Sequence, residues 1–209
     1  MSVRLLLVRH GETVWNANQR YQGQCDVPLS PEGRRQARQL RERLRRETVH
    51  AVYASDLSRA RETAEIILEG SGVAPTLVSE LREMSFGAWE GMRHDEIEAA
   101  YPEQLRAWIA DPVNVAPPGG ETLASLFERS VAALARVTAG HDGQTVLVVA
   151  HGGPLRMILC HLLEVRPELY WRLGLRPASL TAVDLYPEGA IVGVLNDTCH
   201  LDGWWHESS

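Results

Sequence analysis

Two histidines, two arginines and a carboxylate stand just after short apolar segments of this 209-residue chain. Arg9 and His10 follow the first segment, Arg59 follows the second, Glu83 the third and His151 the fourth. An imidazole can be a nucleophile, a guanidinium binds phosphate oxygens in a bidentate way, and a carboxyl group can transfer a proton. Together these residue types could bind an anion and carry out nucleophilic and proton-transfer chemistry beside it, provided that the fold brings them to one place.

The elements that must position these residues are strands alternating with helices. Runs rich in Val and Leu predict strands, most of them buried, at residues 3–8, 51–54, 76–79 and 145–150. We therefore predict the α/β class, as a three-layer α/β/α sandwich with a mostly parallel central sheet. Residues 180–186 and 191–195 predict a late antiparallel hairpin. Because ligands bind outside the carboxyl ends of parallel strands, the five side chains are expected to meet in one cleft.

Three helices can be given boundaries from capping signals and periodicity. Ser30 followed by Pro31 predicts a capped helix that ends near Arg46, and Asp56 is expected to cap a second helix that runs to about Leu68. Apolar residues at helical spacing predict a third helix over residues 123–137. Residues 111–120 are rich in Pro and Gly and predict a loop between helices, which could border the active site.

The amino-acid composition excludes several classes of enzyme and of binding protein. All 21 basic residues are arginine, so Schiff-base chemistry and the lysines of P-loop NTPases and kinases are excluded. The net charge of -6 predicts no binding to nucleic acid or to anionic membranes. The length and the 44% hydrophobic content predict a single domain over residues 1–209.

Location and partners are predicted from what the chain lacks. No apolar run is long enough for a membrane span and no secretory signal is visible, so a cytoplasmic location is expected. The cysteines Cys25, Cys160 and Cys199 are widely spaced and odd in number, which predicts free thiols. The oligomeric state is not readable, and a homodimer is one of the states that the sequence allows.

Four blocks in a fixed order identify a family resemblance. They are Arg9-His10-Gly11-Glu12-Thr13 with Trp15 and Asn16 behind it, residues 55–64, residues 81–91, and residues 148–153, with Gly119-Gly120-Glu121 between the last two. This arrangement resembles the histidine phosphatase superfamily, which also contains cofactor-dependent phosphoglycerate mutases. The resemblance covers nearly the whole chain, and the order of the blocks is far more specific than any one of them.

The resemblance implies a role for each of the residues in these blocks that could take part in the chemistry. His10 would be the nucleophile, neutral near pH 7, while Arg9 and Arg59 hold the nonbridging oxygens and His151 is a further donor. Glu83 would protonate the leaving alcohol and later activate water. Four further residues would give hydrogen bonds to the phosphoryl group or substrate: Asn16, Gln22, Gly23 and Gly152. No metal and no cofactor is implied, and the substrate would be a small phosphate ester.

Plainer interpretations stand beside these roles. His10 and His151, taken alone, would be histidines that end strands and form structural hydrogen bonds. Arg61 and Glu62 are read as a solvated helix face, and the six remaining histidines show no metal-ligand spacing. Arg93 and Arg106 could pair with a substrate carboxylate, although exposed helix arginines are commoner. Trp108 or the terminal pair Trp204 and Trp205 could cover the cleft.

Three functions share these residues. The compact length and the block 84–91 are similar to broad-specificity and alpha-ribazole phosphate phosphatases, which favours a phosphatase. A phosphoglycerate mutase is the alternative, and a catalytically silent sensor of phosphate ligands is a third reading, disfavoured because no catalytic residue type is lost. Specificity is expected to come from the Asp26 region and from residues 84–120.

Overall fold

A computed structural model describes residues 2–201, whose centre is one six-stranded mixed sheet. The strands lie in the order β3-β2-β4-β1-β5-β6. Their bounds are β1 Val3–Arg9, β2 Ala51–Ala54, β3 Thr76–Leu77, β4 Thr145–Ala150, β5 Leu180–Tyr186 and β6 Gly189–Asp197. β1, β2, β3 and β4 are mutually parallel, whereas β5 pairs antiparallel with β1 and with β6. The predicted mostly parallel sheet and late hairpin are both confirmed.

Seven α-helices connect the strands in the described part of the chain. They are α1 Val14–Ala17, α2 Pro31–Leu44, α3 Ser58–Ile67, α4 His94–Ala100, α5 Pro102–Ala110, α6 Leu123–Thr138 and α7 Gly152–Leu162. Helix α2 starts as predicted, because the Ser30 side chain accepts a hydrogen bond from the Gly33 amide and Pro31 occupies the first helical position. Three short 3₁₀ turns lie at Ser79–Leu81, Gly87–Trp89 and Pro167–Arg172.

The sheet is packed on both faces, which makes the predicted three layers. On one face, helices α6 and α7 pack through Val137 and Ile158 against the side chains of Leu5, Leu7 and their neighbours. On the other face, α2 and α3 cover the alternate residues of β1 and β4, with Leu40 and Ala60 among the buried contacts. Two smaller apolar clusters are formed mainly by side chains of residues 84–127. The strand termini on which the predicted site depends are therefore anchored by two layers of core.

One local prediction was wrong, and another holds over only half of its predicted length. Asp56 does not cap α3: the helix N-cap is Leu57, and the Ser58 amide donates instead to Asp26 Oδ1 at 2.7 Å. The Asp56 carboxylate is held by Arg82, whose Nε lies 2.8 Å from Asp56 Oδ1. The third strand has only two residues, and both are exposed at the edge of the sheet.

Residues 111–120 form turns without helix or strand, as predicted. Within residues 2–201 no helix is long and apolar enough to cross a membrane. The cytoplasmic location and the homodimer stay predictions.

Candidate active site

His10 follows β1 and lies in the interior, with 1% of its surface exposed. Its backbone is fixed on both sides, since its amide donates to Ala150 O at 2.9 Å and its carbonyl accepts from the Ala178 amide at 3.0 Å. The ring nitrogen Nδ1 lies 2.7 Å from Gly11 O. A carbonyl can only accept, so Nδ1 carries the proton and the lone pair is left on Nε2.

The surroundings of His10 keep its imidazole neutral. Burial is the main cause that holds its pKa well below the usual value, and the charges of Arg59 and Arg9 act in the same direction. A neutral imidazole is the form that can attack an electrophile. Gly11 permits the tight packing here, because a Cβ at this position would lie 2.5 Å from Gly33 O at the start of α2.

Arg59 lies in the first turn of α3 with its side chain completely buried. Its terminal nitrogens donate to Gly23 O at 2.7 Å and to Cys25 O at 2.8 Å. Arg9 is anchored similarly, through a bond of 2.6 Å from its Nη1 to Leu175 O. The Nε atoms of both arginines are buried and have no partner among the described residues. Each guanidinium is thus fixed at one edge and retains donors for an anion.

The pKa of Arg9 is lowered to about 10, chiefly by burial, while the carboxylate of Glu83 opposes that shift. The pKa of Arg59 is also lowered, with burial again the main cause and Glu83 again opposing. Both groups remain cationic at neutral pH. Their desolvation strengthens any interaction with a bound phosphoryl group.

His151 is the N-cap residue of α7, and its ring centroid lies 5.0 Å from that of His10. Its Nε2 lies 2.8 Å from Ser55 Oγ, which also accepts a bond of 3.3 Å from the Leu57 amide. A hydroxyl group can donate once and accept twice, so Ser55 can either accept from Nε2 or donate to it; when it donates, the ring proton of His151 lies on Nδ1. This Nδ1 is buried without a partner among residues 2–201. With the ring proton on Nδ1, this atom is a hydrogen-bond donor without an acceptor.

Glu83 lies between two 3₁₀ turns, and its carboxylate meets the start of α7. Oε1 accepts from the Met84 amide at 2.8 Å and from the Gly153 amide at 2.9 Å. Oε2 has no hydrogen bond with a described residue. Because Oε1 is committed to two amides, Oε2 is the oxygen that can carry and release a proton.

Arg129 of α6 holds the backbone around Glu83, and sequence reasoning missed it. Its Nη1 donates to Arg82 O at 2.6 Å and to Glu80 O at 2.9 Å, and its Nη2 donates to Glu83 O at 2.9 Å. Glu121 completes this clamp: its Oε1 lies 2.6 Å from Arg129 Nη2 and accepts from the Ser85 amide at 2.8 Å. The motif Gly119-Gly120-Glu121 was visible in the sequence, but nothing local connected it to an arginine eight residues later.

Asn16 and Gln22 are joined through Thr13. The Thr13 amide donates to Asn16 Oδ1 at 3.1 Å, and Thr13 Oγ1 lies 2.9 Å from Gln22 Oε1. Their amide oxygens are therefore occupied, which leaves the side-chain NH₂ groups as donors. Gly23 adopts a φ of +55°, and a Cβ there would collide with the Glu90 carboxylate, so glycine is required where the carbonyl turns toward Arg59. Gly152 opens α7 beside the Arg9 guanidinium.

Several expected participants lie elsewhere. Arg93 pairs with Asp95 at 3.4 Å, and Arg106 pairs with Glu103 at 3.5 Å on an exposed face of α5. Trp108 packs edge-on against the buried Trp89. Trp204 and Trp205 lie outside the described residues. Within residues 2–201, no three His, Cys, Asp or Glu side chains form a group that could hold a metal ion.

The fold and this site define an α/β protein in which two arginines, a neutral histidine pair and a carboxylate lie close together. The family model of the histidine phosphatase superfamily (branch 1) matches residues 5–198. The chain belongs to that superfamily. Relatives named as phosphatases match nearly the whole chain, and with the family model they support a hydrolase of phosphate monoesters.

Three similar proteins show the breadth of the family. Phosphoserine phosphatase 1 of Hydrogenobacter thermophilus is 37% identical over 99% of this chain and 98% of its own length. Phosphoglycerate mutase-like protein 4 of Arabidopsis thaliana is 41% identical over 74% of this chain and 68% of its own. The crystal structure of the alpha-ribazole phosphatase from Shigella flexneri superposes with a TM-score of 0.87 at 31% identity, covering 93% of this chain and 96% of that one.

Proposed function

We propose that the chain hydrolyses small phosphate esters without a metal ion, through a phosphohistidine on His10 and with Glu83 as proton donor. One observation carries this proposal: the bond from His10 Nδ1 to Gly11 O leaves the lone pair on Nε2 of a buried, neutral ring that lies close to the charges of Arg59 and Arg9. His151 is also neutral and close to the same two arginines, but its Nε2 is engaged with Ser55 Oγ at 2.8 Å.

In the first half-reaction, His10 Nε2 attacks phosphorus as the bond between phosphorus and the ester oxygen breaks. Glu83 gives its proton, from Oε2, to the departing alkoxide. Negative charge spreads over the equatorial oxygens, and Arg9, Arg59 and His151 Nδ1 donate to those oxygens. The donors are already fixed by Leu175 O, Gly23 O, Cys25 O and Ser55 Oγ, so little reorganisation is needed.

In the second half-reaction, the Glu83 carboxylate takes a proton from water, and the resulting nucleophile attacks the phosphorus of phosphohistidine. The bond between phosphorus and His10 Nε2 breaks, and inorganic phosphate leaves. Glu83 is again protonated and His10 is again neutral. Metal-free catalysis is chemically sufficient here, because the guanidinium groups neutralise the charge that a metal would otherwise stabilise.

A phosphoglycerate mutase would share the first half-reaction and pass the phosphoryl group to an acceptor other than water. The mutase-like relative from Arabidopsis keeps this alternative open. The substrates named for the relatives, phosphoserine and alpha-ribazole phosphate, suggest the esters to be tried first.

The test is turnover in the presence of EDTA. Purified protein is incubated with p-nitrophenyl phosphate, O-phosphoserine, alpha-ribazole phosphate and 3-phosphoglycerate, and phosphate release and isomerisation are followed together. We expect phosphate release that survives EDTA and falls by roughly 10⁴-fold or more in His10→Ala. Acid-labile, base-stable phosphate on the wild-type protein would identify phosphohistidine. Isomerisation of phosphoglycerate with little release would establish a mutase, and binding without turnover would establish a sensor.

A further inference from the structure

A third guanidinium group, that of Arg156, lies beside Arg9 and has no part in the steps above. A Cβ built on Gly152 would lie 3.7 Å from Arg156 Nη1 and 3.7 Å from Arg9 Cζ, so the two guanidinium groups flank the same face of that glycine. They are anchored on one segment, since Arg156 Nε donates to Leu173 O at 2.7 Å and Arg9 Nη1 donates to Leu175 O. The segment after the last 3₁₀ turn therefore aligns both groups.

Two like charges held this close favour an anion between or beside them. Arg156 is half-buried, and among residues 2–201 no hydrogen bond or ion pair occupies its terminal nitrogens. Burial is the main cause of the lowered pKa of Arg9, and the charge of Arg156 acts in the same direction. Such a pair is unfavourable in the empty protein and is relieved when an anionic group binds.

Tyr170 lies against Arg156 and brings a neutral hydroxyl donor to the same region. The Arg156 guanidinium lies over the Tyr170 ring, 5.9 Å from its centroid. Burial, as the main cause, raises the pKa of Tyr170 to about 12, with Glu83 and Tyr21 adding to that shift. The hydroxyl therefore stays protonated, although the charge of Arg156 opposes that shift, and the Tyr170 side chain packs on the apolar cluster that contains Met84, the residue after Glu83.

The phosphoryl oxygens already have donors in Arg9, Arg59, His151, Asn16 and Gln22. A further guanidinium next to Gly152 is therefore available for a different group. A planar carboxylate matches the two terminal nitrogens of a guanidinium, which can bind it in a bidentate way.

We propose that Arg156, together with Tyr170, binds a carboxylate on the alcohol part of the substrate, so that the preferred esters are phosphorylated small acids. This inference rests on the proposed function and names its substrate class. It also replaces Arg93 and Arg106, which the sequence suggested for this role and which pair with carboxylates elsewhere on the surface.

O-Phosphoserine and O-phosphoethanolamine test the inference because they differ only by the carboxylate. We expect wild-type kcat/KM to favour phosphoserine, and Arg156→Gln to reduce that preference by at least about tenfold, the effect of one charge-assisted hydrogen bond. Arg156→Lys, which keeps the charge but loses the bidentate fork, should fall between the two. Arg106→Gln, an exposed arginine of α5, is the matched control and should keep the wild-type ratio.

A wild-type enzyme that does not discriminate between the two esters would overturn the inference. So would an equal loss on both esters in Arg156→Gln and Arg156→Lys, which would place Arg156 on the phosphoryl group itself. Calorimetric binding of both esters to His10→Ala, with and without Arg156→Gln, repeats the comparison without turnover. Failure of the proposed function would appear separately, as absent turnover of p-nitrophenyl phosphate by the wild-type protein, whereas the binding preference would survive it.

Discussion

The two halves of the site are built differently. On the phosphoryl side, His10, Arg59 and His151 come directly from the ends of inner strands or from the first turns of helices, and all three are buried. On the acid side, Glu83 lies on irregular backbone between 3₁₀ turns and is only half-buried. Its main chain is held by Arg129 and Glu121 rather than by a sheet. Secondary structure therefore positions the proposed nucleophile, whereas polar side chains position the proposed acid. Only the second arrangement can be loosened without disturbing the core.

Glu83→Gln should have the largest effect, and it should distinguish the acid side of the site from the phosphoryl side. An alkyl phosphate needs a proton on its leaving oxygen, whereas p-nitrophenolate leaves readily without one, so we expect a loss of roughly 10² to 10⁴-fold on the alkyl ester and a much smaller loss on p-nitrophenyl phosphate. Steady-state kcat/KM on the two esters measures it. Equal losses on both would show that Glu83 does not act as the acid.

Arg129→Met should give a weaker form of the same pattern, about tenfold to a hundredfold on the alkyl ester. The variant removes the bonds to Glu80 O, Arg82 O and Glu83 O, which leaves the acid present but poorly oriented. Arg136→Met, on the same helix and paired with Glu80 at 3.2 Å, is the matched control. If Arg129→Met slowed both esters alike while Glu83→Gln did not, the clamp would be structural only.

Ser55→Ala addresses the phosphoryl side and should cost about tenfold in kcat. Without the hydroxyl, His151 loses the partner of Nε2, and its proton is no longer confined to Nδ1. Nitrogen chemical shifts of His151 report the tautomer directly, and this variant should shift them while Ser58→Ala should not. A kcat loss with unchanged shifts would contradict the tautomer argument. The expected loss is similar for alkyl and p-nitrophenyl esters, unlike that of Arg129→Met.

The smallest expected effect is on the way in which the free energy of unfolding depends on pH. The pKa values of His10 and His151 lie well below the ordinary 6.5, with burial the main cause in both. As the pH falls below 6.5, the unfolded chain takes up protons that the folded protein does not, so the free energy of unfolding decreases, by at most about 1.4 kcal/mol per pH unit for each histidine. Half-buried His200, whose pKa is also lowered, adds to this slope.

Urea unfolding at pH 7.5, 6.5 and 5.5 measures this slope, and His10→Asn should reduce it. The lowered pKa of Asp56 acts in a separate window at lower pH, since its stabilisation is lost only as that carboxylate becomes protonated. His94→Asn, at an exposed position, is the control. An unchanged slope in His10→Asn would show that this imidazole is not held neutral in the folded state.

Features that depend on neighbouring residues were predictable. Strand β4, helix α6 and the late hairpin follow from apolar periodicity and turn residues within a few positions, and the structure has them where the sequence predicts them. The order of strands and helices also fixed which side chains stand at the carboxyl ends of the strands. That is why His10, Arg59 and His151 could be named together.

Only the tertiary structure decided the features that depend on partners far along the chain. The Ser58 amide is capped by Asp26, 32 residues away, because Asp56 is taken by Arg82. Arg129 donates to carbonyls 46 to 49 residues away, and Nε2 of His151 is hydrogen-bonded to Ser55, 96 residues away. Competition among partners that are distant in sequence leaves no local pattern, so the sequence determined which groups could do the chemistry and the packing determined how each is held.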